Sequence, residues 1–255
     1  GAPVILATDR CRMGTRKWLD CMRAIDKENA ELTGRALWSG HMADFSASTL
    51  DDALPVYKEL LGIHHSLGII FEYELGETGG EEDGISGTAS YTSPEEAAYV
   101  YGELREISDL TTAALTFGNV HGVYKGDFDL RPDILGACQA KVREKFGLQE
   151  ELPMDLVFHG GSGCTPSQME EALKYGTVKQ NIDTDTQFAF TCGGIVPTVL
   201  SNLSHLQSQV GSPTDAEHPN KKFYDPRGLL HKGELAMTAR IVESFGHLNS
   251  VGLLD

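Results

Sequence analysis

Two histidines stand at the ends of apolar runs, each followed by glycine. His121 sits in "TFGNVHGVYK" (116–125), with Gly122 after it and Lys125 close by, and His159 sits in "VFHGGSGCTP" (157–166). A pair of imidazoles at neighbouring strand ends suits zinc, which takes histidine nitrogen at about 2.0–2.1 Å and keeps an open position in catalytic sites. Singly, each histidine would only cap its strand by hydrogen bonding. Carboxylates are the second resource. Asp9 closes the run "PVILATDRC" with Arg10 beside it, and "SGHMADFS" holds His41 and Asp44. In "FEYELGETGGEEDG" Glu72 and Glu74 are two apart, hence on one face of a strand. An inward glutamate is costly unless paired or bound to metal. Asp44 is a further metal ligand or a helix cap. The acidic turn at Glu81, Glu82 and Asp83 is a solvated tip or a mobile loop carrying a general base.

The third resource is anion binding. Gly160, Gly161, Ser162 and Gly163 lead into a helix opening at Thr165. Glycines let the backbone approach an anion, and the N–H groups of a helix start supply donors and positive potential; a plain glycine-rich turn is the simpler reading. "KQNIDTDT" (179–186) offers the Asn181 amide, the Asp183 carboxylate and the Thr184 hydroxyl. Adjacent loops of this kind late in a barrel often hold phosphate, and Asp183 or Thr184 also suits N-capping of the helix that follows. His64, His65, His205, His218, His231 and His247 fall on helices or loops and receive no role.

The elements that position these groups are legible. Short runs rich in Val, Ile, Leu and Phe recur at 3–9, 36–42, 69–76, 112–121, 154–160 and 178–183, as buried parallel strands require. Helices lie between them. Ser93-Pro94-Glu95-Glu96 and Thr165-Pro166-Ser167-Gln168 read as capped helix starts, and Gly147 and Gly176 as C-terminal glycines. Residues 208–222 read as a long polar loop before a last helix over 228–249. Alternation of this kind predicts an α/β fold with a parallel sheet. Asp9, His41, Glu74, His121, His159 and Asn181 all follow strands, and both (β/α)8 barrels and open doubly wound sheets build sites at that end. No G-x-G-x-x-G follows a strand, which weakens the dinucleotide-binding version. Six strand–helix units are countable, against eight for a closed barrel.

Composition narrows the partners. The chain has 255 residues, 40% of them hydrophobic, with 21 Lys and Arg against 37 Asp and Glu, a net charge of −16. This argues against nucleic acid, which needs a basic face. The odd number of cysteines, with no C-x-x-C pair, fits a reducing, cytoplasmic setting. No run of about 18 apolar residues suggests a membrane span, and no signal-peptide pattern opens the chain.

Taken in order, "ELGETGGEEDG", "FGNVHGVYK", "FHGGSG", "NIDTDT" and "PNKKFYDPR" resemble the class II, metal-dependent fructose-bisphosphate aldolases of the long-loop subgroup. The resemblance runs from Pro3 to the C-terminus. It implies a single partial TIM-barrel domain over 1–255, N-terminally truncated, with about six of the eight strand–helix units. It also implies a cytoplasmic homodimer and an aldehyde-lyase of glycolysis and gluconeogenesis. Its substrate would be a sugar bisphosphate, fructose 1,6-bisphosphate, cleaved reversibly to dihydroxyacetone phosphate and glyceraldehyde 3-phosphate. The alternatives are a tagatose-bisphosphate aldolase and an inactive phosphate-binding remnant. Residue by residue, the resemblance makes His121 and His159 zinc ligands, with Asp44 and Glu74 at a neighbouring metal position and a monovalent cation as a further cofactor. Asp9 and Glu82 would move protons and Asn181 would stabilise the enediolate. Gly122, Lys125, Gly160, Gly161, Ser162, Asn181, Ile182, Asp183 and Thr184 would cradle one phosphate, and Lys221 and Arg227 would meet the other.

One position departs from the pattern. The residue after the acid/base aspartate is a histidine in that family, the third zinc ligand, and here it is Arg10. A guanidinium stays protonated and has no lone pair to give. The expectation is that zinc binding is weakened or lost.

Overall fold

A computed structural model describes residues 4–82, 85–87, 90–123, 129–213 and 215–252. The chain forms two compact units, Gly1–Asn181 and Ile182–Asp255.

In the first unit six strands form one sheet: β1 (Ala7–Arg12), β2 (Gly40–Asp44), β3 (Ile70–Leu75), β6 (Thr111–Leu115), β8 (Leu156–Phe158) and β9 (Thr177–Gln180). Every pairing is parallel, and the spatial order β1-β2-β3-β6-β8-β9 follows chain order. A right-handed crossover repeated without reversal curls a sheet in one direction. The result is a curled half-barrel of the α/β class, with no switch point of the doubly wound kind. Its helices are α1 (Arg16–Thr33), α2 (Leu50–Ser66), α3 (Pro94–Arg105), α4 (Asp133–Phe146) and α5 (Pro166–Lys174). The expected caps hold them. Ser93 and Thr165 accept from the backbone N–H groups of Glu96 and Gln168, and Gln168 Oε1 accepts in return from Thr165 N. Gly147 ends α4 at φ +62°. Phe71, Tyr73, Leu75, Leu115, Leu156 and Phe158 pack beneath the helices with Leu19, Tyr57, Leu60, Tyr101 and Val142.

In the first unit the structure corrects three readings of the sequence. The first apolar run, 3–9, precedes its strand as much as it forms it: Val4, Ile5 and Leu6 are exposed and β1 begins at Ala7. The run 112–121 is two strands, β6 and the short β7 (Val120–His121). Its break falls at Thr116–Asn119, where the Phe117 N–H donates to Asn119 Oδ1 instead of to a strand. The acidic segment is not a bare turn. Its backbone forms β4 (Gly79–Glu82), antiparallel to β5 (Ile85–Gly87) and parallel to β7, a small second sheet.

The second unit contains α6 (Thr184–Phe188), a π-helical turn (Ala189–Ile195), α7 (Val196–Ser201), α8 (Leu203–Leu206), a hairpin of β10 (Val210–Ser212) and β11 (Asp215–Pro219), α9 (Lys221–Tyr224) and α10 (Pro226–His247). The expected polar loop therefore holds a hairpin. The Asn220 side chain pins it by donating to Ser208 O and Gly211 O. No helix among the described residues is long and apolar enough to cross a membrane, and no disulfide forms.

A buried polar array lies beside β1 and β2. Asp26, His41 and His64 are all buried. Asp26 accepts from the backbone N–H groups of Leu37 and Trp38 and, at 2.6 Å, from His41 Nε2. His41 Nδ1 is then free to accept from the Thr8 hydroxyl at 2.7 Å. His64 packs against the rings of His41 and Phe71, and neither of its ring nitrogens has a hydrogen-bond partner among the described residues. Burial, then the His41 and Arg23 charges, push its pKa down to about 3. Between that value and the ordinary 6.5 the unfolded chain binds the extra proton, so this group's contribution to stability falls as pH drops through the window. One proton corresponds to a slope of about 1.4 kcal/mol per pH unit. His64→Leu is expected to flatten the pH dependence of the urea midpoint between pH 6 and 4. Parallel profiles for the two proteins would show that His64 does not titrate there.

Candidate active site at the strand ends

The carboxyl ends of the six strands bring most of the first unit's candidate residues together, beginning with β1. The pairing of β1 with β2 slips between Thr8 and Cys11, and Arg10 takes φ +53° in the bulge. A positive φ is uncommon for a residue other than glycine, and a bulge re-aims side chains at a sheet end. Asp9 is exposed, and Asn181 Nδ2 reaches its Oδ2 at 3.5 Å. The Arg10 guanidinium points the other way. Its Nη2 donates to His121 Nε2 at 3.1 Å and lies 3.8 Å from Asp44 Oδ2, with its side chain only 13% exposed. Arg12 Nε is 4.0 Å from the same carboxylate. Asp44 also accepts from Ser46 N and Oγ, so it caps the turn after β2.

His159 occupies the centre. It is buried, and its ring centroid lies 6.2 Å from that of His121. Its Nε2 donates to Glu72 Oε1 at 3.0 Å, and its Nδ1 faces Glu74 Oε2 at 3.4 Å. Both glutamates are buried on β3, two residues apart and on one face. Glu72 is held further by Lys179 Nζ at 2.7 Å, and Glu74 by the Thr78 hydroxyl at 2.8 Å. The two imidazoles are opposites electrically. Burial, then the Arg10 and His159 charges, push His121 down to about 3, so it is neutral. Burial also opposes charge on His159, but the Glu74 charge and the hydrogen bonds of Glu72 and Glu74 outweigh it and raise that ring to about 10. Glu72 is itself shifted downward: burial opposes its charge, but the His159 bond and Lys179 prevail.

The glycine turn lies where the sequence places it. Gly160 has φ +71°, and a Cβ there would stand 2.2 Å from Val120 O, so the turn presses on the backbone of β7. Gly161 N donates to Asn181 O at 3.0 Å, and Ser162 is buried. Gly122, at φ +91°, follows His121 directly. A cavity of about 300 Å³ opens beside Arg10, Arg12, Asp44, Ser46, Thr78 and His121. Lys125 lies outside the described residues, as does the side chain of Glu82, whose backbone ends β4. Ile182, Asp183, Thr184, Lys221 and Arg227 belong to the second unit. There Asp183 takes the N-cap position of α6 without a side-chain capping bond, and Arg227 is paired with Asp225.

Sequence reasoning left three contributors without a role: Glu72, Lys179 and Asp26. Glu72 was visible as the same-face partner of Glu74. Lys179 sits two residues before Asn181 in the quoted motif, on β9, which Asn181 follows. Nothing in the sequence pairs Asp26 with His41, fifteen residues away on another element.

Ligand atoms of Asp9, Glu72 and His159 lie within 4.8 Å of one another and could hold a metal ion. The position between His121 and Asp44 is different. The His121 Nε2 lone pair receives an N–H from Arg10, and a guanidinium offers a metal no lone pair in exchange. As arranged, these side chains do not fit zinc there.

A family model, class II fructose-bisphosphate aldolase, matches residues 1–253. The chain belongs to the class II fructose-bisphosphate aldolase family. It is 42% identical over 257 residues to the fructose-bisphosphate aldolase of Campylobacter jejuni, spanning 98% of this chain and 72% of that protein. It is equally similar to the class 2 fructose-bisphosphate aldolase of Escherichia coli K12, over 100% of this chain and 72% of the relative. The crystal structure of the Campylobacter jejuni aldolase superposes with a TM-score of 0.86, covering 98% of this chain and 71% of that one. Aldolases of this class are lyases.

Proposed function

We propose that the chain is a fructose-bisphosphate aldolase, cleaving fructose 1,6-bisphosphate reversibly to dihydroxyacetone phosphate and glyceraldehyde 3-phosphate in glycolysis and gluconeogenesis. One observation carries the reading. Along a chain related over its whole length to aldolases, Asp9, Asn181, Glu72, Glu74, His121 and His159 gather at one sheet end beside a glycine turn. Breaking a carbon–carbon bond next to a carbonyl needs separate groups for separate protons. Asp9, exposed at the mouth, exchanges the proton of the hydroxyl that becomes the aldehyde. Glu82 exchanges the proton at the carbanion carbon. Asn181 holds the enediolate oxygen. The N–H groups around Gly122, Gly160 and Gly161, with Ser162, bind the ketose-side phosphate. Zinc, the cofactor of the class, is weakened or lost at Arg10, so turnover is slow. The working form is a cytoplasmic homodimer.

A coupled assay of triose phosphate release tests the reading. Slow cleavage of fructose 1,6-bisphosphate, faster than that of its tagatose epimer, is expected. Preference for tagatose bisphosphate would move the substrate to the epimer. Absence of both cleavage and calorimetric binding of either sugar at millimolar concentration would overturn the assignment.

A further inference from the structure

We infer that the Arg10 guanidinium is the resident cation of the strand-end site and keeps a divalent ion out of the position between His121 and Asp44. The inference rests on the aldolase reading for the identity of the ion, but its grounds lie in the geometry of β1. A bulge and a positive φ at Arg10 turn the side chain inward. The guanidinium then bonds a histidine lone pair at 3.1 Å and approaches a buried carboxylate at 3.8 Å. A divalent ion would need those same two acceptors. It would also meet a fixed positive charge with no lone pair to share. On the far side, the two glutamates are already matched by His159 and Lys179. At this position the protein's own charges alternate, and the two acceptors a divalent ion would use, on His121 and Asp44, already face Arg10.

The test compares the full chain with Arg10→His and Arg10→Asn. Histidine and asparagine are among the residue types that accept a left-handed backbone. Each protein is equilibrated with zinc alone and dialysed, and bound zinc is counted by mass spectrometry. Affinity is measured by competition with a chromophoric chelator. The expected result is far less than one zinc per wild-type chain and one per Arg10→His chain. Since losing even an outer partner of a metal site costs about 10–100-fold, Arg10→His should bind at least about 100-fold more tightly than wild type. Arg10→Asn, which removes the charge and adds no imidazole, should fall between them. Stoichiometric zinc on wild type with an affinity close to that of Arg10→His would overturn the inference. So would folded Arg10 variants, verified by circular dichroism, that bind no more tightly than wild type.

Should neither variant fold, cobalt added to wild type decides the matter. Absence of visible absorption that His121→Asn abolishes supports the inference, and the appearance of such absorption refutes it. Binding of dihydroxyacetone phosphate in chelator-treated buffer separates the two readings. Its loss counts against the aldolase assignment alone, whereas stoichiometric wild-type zinc counts against Arg10 alone.

Discussion

His159→Leu is expected to lower folding stability by about 3–5 kcal/mol, the range for removing one partner from a buried ion pair. Both Glu72 and Glu74 face this ring, and both are buried. Leucine would leave two carboxylates close together on one face of β3, with Lys179 bonded to only one of them. The isolated charge, rather than lost packing, causes most of the cost. A second substitution therefore distinguishes the causes: adding Glu74→Gln to His159→Leu should recover part of the loss, because an amide is cheaper to bury than an unpaired carboxylate. Urea titrations of the three proteins give the comparison. A single variant within 1 kcal/mol of wild type would mean that water or Lys179 already neutralises the pair.

Gly160→Ala should be nearly as damaging, for a steric reason. A left-handed backbone costs a residue with a Cβ about 1–2 kcal/mol. At Gly160 the new carbon would also stand 2.2 Å from Val120 O and 2.7 Å from its carbonyl carbon. Backbone cannot swing aside as a side chain does, so β7 must move, at a further cost of about 1–3 kcal/mol. His121, the next residue, would move with it. Gly147→Ala is the control. Its φ is +62°, but nothing lies within 4 Å of the added carbon, so it should show the conformational cost alone. Equal urea midpoints for the two variants would mean that β7 yields without resistance.

Much of this site was legible because its signals are local. Strand-terminal histidines, a glycine turn before a capped helix, and glutamates two apart are each readable within a dozen residues. Chain order then placed them side by side, since the sheet adds each strand next to the last. What stayed hidden depends on pairs distant in sequence. Arg10 was readable as an obstacle to zinc, but its seat on His121, across 111 positions, was not. Lys179 finds Glu72 across 107. The hairpin of β10 and β11 was missed because its strands are short and polar, and Asn220 holds the turn from beyond its end. The strand at Gly79–Glu82 was missed because glycine and glutamate are poor strand formers, and pairing with Val120 and His121 outweighs that preference.

The sheet's agreement between spatial and chain order has an evolutionary consequence. A layer that grows only at its margins can gain or lose one strand and its covering helix without rethreading the others. Interior residues such as Glu72 and Glu74, flanked on both sides by β2 and β6, keep their neighbours through such an event.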